Sequence, residues 1–141
     1  MKFKQITAPL LAALALLTAA ACATKPPANQ FGFGPRLSEQ KLYSATIDAP
    51  AKPLAARRMM SLQVSIRDAA GNPVDGAQIE IDGGMPQHGH GLPTKPVVTR
   101  QLGNGDYQVE GMKFNMGGWW VVKFRVNATP GSDSLVFNVK L

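Results

Sequence analysis

From residue 43 to the end of the chain, apolar and polar positions keep exchanging places with a period of two. Leu62, Val64 and Ile66 alternate with Gln63, Ser65 and Arg67, the mark of a strand with one buried face. Asp68-Ala69-Ala70-Gly71-Asn72-Pro73 breaks that pattern with strong turn chemistry. Ile79 and Ile81 then alternate with Gln78, Glu80 and Asp82, and residues 97–102 predict a short strand closed by an Asn104-Gly105 turn. Tyr107 and Val109 alternate with Gln108 and Glu110. Trp120, Val122, Phe124 and Val126 oppose Lys123 and Arg125, and Leu135, Phe137, Val139 and Leu141 finish the chain. Residues 43–47 add an earlier strand. No helical period of useful length follows the leader, and Pro50 and Pro53 punctuate the remaining candidate at 49–59. The pattern predicts an all-β fold: a single immunoglobulin-like antiparallel β-sandwich of about seven strands over residues 41–141.

The first 22 residues read as an export signal. Lys2 and Lys4 form a basic start, residues 10–17 are an apolar core, and small residues lead to Cys22. The apolar run is short for a membrane span, which needs about 20 residues. Ala19-Ala20-Ala21-Cys22 resembles the lipobox of bacterial lipoproteins, in which the cysteine becomes the lipidated first residue. Cys22 is the only cysteine, so no disulfide is available. The expectation is a lipoprotein facing the periplasm, with the membrane as a partner through its anchor. Ala23 is not an aspartate-type retention signal, which favours the outer membrane. Ordinary cleavage would instead leave a soluble periplasmic protein. Residues 23–40 combine Pro, Gly and Asn without a period, as in a flexible tether.

Charge excludes one class of partner. Without Lys2 and Lys4, 13 basic residues face 9 acidic ones, a net charge near +4. Apart from Arg57-Arg58 the basic residues are spread singly, so no nucleic-acid patch is visible; they read as a solvated face, with attraction to an anionic membrane surface as the alternative.

Candidate chemistry is concentrated in Gly83-Gly84-Met85-Pro86-Gln87-His88-Gly89-His90-Gly91, which carries both histidines of the chain. On an extended segment His88 and His90 would project from one side, with the Met85 thioether three residues before His88. Met116, ahead of Gly117-Gly118, is the best distant addition. Met112 ranks below it: alternation through Tyr107 and Val109 leaves it on the other face, and methionine is a common gap-filler in cores. Soft thioethers with imidazoles suit copper better than zinc or calcium. Trp119 or Trp120 could cover such a site or meet a partner. Catalysis has no support, because the histidines share one loop and no nucleophile, base and orienting acid are assembled.

Four motifs taken in order resemble the YtkA-like domain: the 68–77 turn ending Val74-Asp75-Gly76-Ala77, the 85–91 loop, Gly105-Asp106-Tyr107, and Met116-Gly117-Gly118-Trp119-Trp120. The resemblance covers about residues 58–141. That domain is similar to the periplasmic part of FixH proteins, which are associated with assembly of copper-containing cbb3-type oxidases. The resemblance implies a small extracytoplasmic β-sandwich without catalytic activity. The chain departs from FixH in carrying a cleavable leader in place of a retained membrane helix. Two functions are expected from all of this. The first is binding or handing on copper through His88, His90, Met85 and Met116, with a copper-dependent assembly as partner. The alternative is a metal-free adaptor docking on another envelope protein.

Overall fold

A computed structural model describes residues 23–48 and 50–141; the expected signal peptide and the lipidation site Cys22 lie outside the described residues. The described residues form nine strands: β1 (Arg36–Leu37), β2 (Tyr43–Ile47), β3 (Met59–Asp68), β4 (Gln78–Met85), β5 (His90–Gly91), β6 (Val97–Gly103), β7 (Asp106–Lys113), β8 (Trp119–Ala128) and β9 (Gly131–Lys140). Seven of them coincide with the strands expected from alternation. The count rises from about seven to nine because two pairs of residues too short to show a period, β1 and β5, also join ladders.

The strands form two antiparallel sheets, ordered β1-β2-β3-β7-β6 and β5-β4-β8-β9. Their inward faces meet in one core. Val64, Ile66, Tyr107 and Val109 come from the first sheet, and Val122, Phe124, Leu135 and Phe137 from the second, all fully buried. Phe124 and Phe137 meet edge to face at 5.7 Å. This is the immunoglobulin-like sandwich class.

Two backbone devices set side-chain phase where alternation alone misleads. Met60 pairs with Met112 but Leu62 pairs with Val109, so β7 carries an extra residue at Glu110–Gly111. Gly111 takes φ +82° there, a value that glycine adopts at little cost. The bulge reverses the phase that strict alternation would impose, so Met112 lies wholly in the core, in keeping with its expected place as a gap-filler. At the β6–β7 hairpin, Asn104 and Gly105 have φ of 55° and 73°. Both values are positive, as a two-residue turn matched to strand twist requires.

Much of the segment expected as a tether is laid along the sandwich. Residues Ala28–Gln30 form a 3-10 turn, Phe31 bridges to Asn138, and the Gly32 N–H donates to the Asn138 carbonyl at 2.9 Å. Phe33 packs against the core, and β1 then joins β2. Asp133 fastens the next loop, its carboxylate accepting from the backbone N–H groups of Gln40 and Leu42.

Candidate functional site at one end of the sandwich

The end of β4, the two residues of β5, the end of β7 and the start of β8 all meet at one end of the sandwich, and the residues expected to hold or cover a metal sit there. Residues 86–89 turn the chain from β4 to β5. The Met85 carbonyl accepts from the N–H of His88 and of Gly89, both at 3.0 Å. Gly89 has φ +64°, so the two histidines do not lie on one extended segment as expected. His88 is carried by the turn and His90 by β5, and both are exposed. The turn still brings their rings close, with centroids 6.1 Å apart and planes tilted by 32°. Two imidazoles bound to one ion at usual metal–nitrogen distances would have centroids about 5–6.5 Å apart.

The thioethers divide. Met85 faces His90 across the β4–β5 ladder, yet only 2 % of it is exposed, and its side chain packs inward. A Cβ on Gly118 would stand 2.8 Å from the Met85 Cε, so this methionine fills the space that a glycine leaves. Met116 is on the loop between β7 and β8 and is 41 % exposed. Its carbonyl accepts from the Trp120 indole N–H at 3.0 Å, which holds the loop in place. Trp120 is fully buried and meets Phe114 edge to face at 5.2 Å. Trp119 is buried too, its indole N–H donating to Asn138 Oδ1 at 2.9 Å. Neither ring forms an exposed ridge. Among the described residues, no three His, Cys, Asp or Glu side chains gather as a metal-binding group. Asp82 lies on the outer face opposite Lys123, and its carboxylate accepts from the Gly83 N–H at 2.7 Å.

One exposed residue at this end escaped the sequence reading. Met59 opens β3 opposite Lys113 and is 57 % exposed. Its signal was available in the phase of β3: Met60, Leu62 and Val64 share one face, so Met59 belongs to the other.

Fold and site together define an antiparallel β-sandwich domain whose polar and soft side chains are presented at one end. The chain matches the YtkA-like family model over residues 38–125 and belongs to that family. The match begins earlier and ends earlier than the expected 58–141: it takes in β2 and stops within β8. Among solved structures the chain is similar to one described as "ZirS C-terminal Domain", at 14 % identity and a TM-score of 0.42, covering 99 % of this chain and 97 % of that one. No curated protein matches the chain. Among the described residues, no helix is long and apolar enough to cross a membrane.

Proposed function

We propose that this domain is a metal-free adaptor that docks on another envelope protein through the end carrying the 86–89 turn and the 114–118 loop. The observation that supports this reading is the division of the methionines. Met85 is spent on the core, while Met59 and Met116 are exposed at the end that also carries two exposed histidines. Methionine is flexible and polarisable, and is favoured at contact surfaces that adapt to a partner.

The test is site-specific photocrosslinking in cells from position 116, with position 132 at the opposite end as control. A discrete adduct from 116 that survives copper chelation is expected. No adduct from 59, 88 or 116 would overturn the docking reading.

One observation favours a second reading, in which the end binds copper. The 6.1 Å spacing of the two imidazoles suits a shared ion, and Met116, like Met59, is an accessible thioether at the same end. Under that reading His88, His90 and Met116 would hold the metal, and Met85 would line the floor beneath it. Cu(I) titration against a competing chelator, with the His88→Ala/His90→Ala double variant alongside, decides it. One tight equivalent lost in the variant is the expected result for copper.

A further inference from the structure

We propose that the same end of the sandwich rests on an anionic lipid bilayer. Basic residues that stand singly in the sequence are gathered there by the fold. Lys113 ends β7, Lys140 ends β9, and Lys95 lies just before β6. Lys52, Arg57 and Arg58 lie on the segment that leads into β3, where the Arg57 N–H donates to the Phe114 carbonyl and Arg58 donates to the Pro53 carbonyl. Lys25 completes the group: its ammonium stands 5.6 Å over the Phe31 ring, and it shares a small cleft with Lys140. Among the described residues, Asp48 and Glu110 oppose them at this end, and Asp82 at its rim is matched by Lys123 across the ladder.

The opposite end has the reverse sign. Glu39, Asp68, Asp75, Asp106 and Asp133 cluster around the starts of β2, β7 and β9 and the end of β3, against Arg36, Lys41 and Arg67. The mid-strand charges alternate, with Glu80 opposite Arg125 and Asp82 opposite Lys123. The domain is therefore electrically polarised along its strands. Exposed apolar side chains follow the basic pole: Met59, Met116 and Val97, the last 54 % exposed, are there, while Leu102 is toward the other end and Leu37 lies on the β1 edge.

The path of the N-terminal segment points to the occupant. The segment is held along β9 from Phe31 onward, and Lys25 and Pro26 before it lie beside Lys140 at the basic pole. Between Cys22 and the 3-10 turn at Ala28 lie residues 23–27, which span at most about 18 Å when fully extended. If Cys22 carries lipid, that short leash holds the basic pole, and no other face, against the headgroups. Each Lys or Arg near an anionic surface strengthens binding about fivefold, and a lipid chain with a basic patch makes a stable two-part anchor. This inference competes with the docking reading for Met59 and Met116, and the two fail separately: the crosslink from position 116 reports a protein, whereas lysine protection that depends on anionic lipid reports the bilayer.

Lysine footprinting on the full chain, purified from membranes and reconstituted into vesicles, tests it. Acylation of each lysine is read by mass spectrometry in phosphatidylcholine vesicles and in vesicles about one third phosphatidylglycerol. We expect labelling of Lys52, Lys95, Lys113 and Lys140 to fall at least threefold in the anionic vesicles, with Lys41 unchanged. About 0.5 M salt should restore it, because the contact is screened. The Lys52→Glu/Arg58→Glu/Lys113→Glu variant should restore labelling at Lys95 and Lys140 while keeping the thermal transition of the parent. Equal labelling of Lys41 and Lys113 in both lipids would overturn the proposal. So would failure to float with anionic vesicles, or equal protection by a soluble acidic polypeptide, which would assign the basic pole to an acidic protein.

Discussion

Asp133 is the clasp that closes the N-terminal segment onto the sandwich, and its removal has a calculable effect. The residue is 4 % exposed, and its carboxylate accepts from the N–H groups of Gln40 (3.0 Å), Leu42 (3.3 Å) and Ser134 (2.8 Å). Burial pushes its pKa up, but the Ser38 hydroxyl and the backbone N–H groups of Ser134, Leu42 and Gln40 outweigh it and hold the carboxyl below its ordinary value. Asp133→Ala removes all these acceptor interactions at once. Water can reach Gln40 on the exposed loop, whereas the Leu42 N–H is only half-buried but faces the sandwich. Hydrogen bonds to a charged group contribute about 1.5–3 kcal/mol each before such compensation. The expected loss is therefore about 2–3 kcal/mol, or roughly 6–12 °C in Tm for a domain of this size. Asp133→Asn keeps one acceptor oxygen and should lose about 1 kcal/mol. The pH dependence has a definite sign. A carboxylate whose pKa is lowered by folding stabilises fully above its unfolded value of about 3.9, and that stability is lost as pH falls through the folded value. Urea denaturation at pH 7 and pH 3 should thus show a gap between the parent and Asp133→Asn that narrows at pH 3. Trypsin should also cut faster at Arg36 and Lys41 in the alanine variant. An unchanged gap at the two pH values, or an Asn variant as stable as the parent, would refute the reasoning.

Met85→Ala should destabilise the domain by about 2–4 kcal/mol through the cavity it leaves, by the same amount with and without copper. A penalty that appears only with the metal present would make Met85 a ligand and not a core residue. Gly118→Ala should cost about 1–3 kcal/mol, because φ is +128° there and the new Cβ meets the Met85 Cε; the same denaturation series measures it. Tyr107→Phe removes the hydroxyl that donates to the Val74 carbonyl and accepts from the Ala77 N–H, at an expected cost of about 1–3 kcal/mol. Burial raises the pKa of that hydroxyl, so its contribution is present below pH 10 and fades as pH climbs toward the raised value. The phenylalanine variant should lack that alkaline component. If copper binds through His88 and His90, protons compete with the metal for the ring nitrogens and affinity should weaken toward acid pH. A Cu(I) affinity flat from pH 8 to 5 would exclude the histidines as principal ligands.

Strand identity was legible in the sequence because a half-buried sheet imposes its period on the chain: Leu62, Val64 and Ile66, or Phe124 and Val126, face inward as their alternation says. The Asn104-Gly105 hairpin was legible for an equally local reason, since few residues tolerate two successive positive φ values. The crowding of both histidines and Met85 into one turn was also visible. Which of those donors could be reached was not. Met85 is buried because Gly118, 33 positions later, leaves room for its methyl group, and Met112 is buried because a bulge at Gly111 reverses its phase. The stretch before residue 41 reads as spacer because its contacts lie almost a hundred residues away, at Ser134 and Asn138 on β9. Charge shows the same division most plainly. A list of single lysines has no pole, because charge separation in space depends on which strand ends meet, and antiparallel pairing alone puts Lys113 and Lys140 at one end and Asp68, Asp106 and Asp133 at the other.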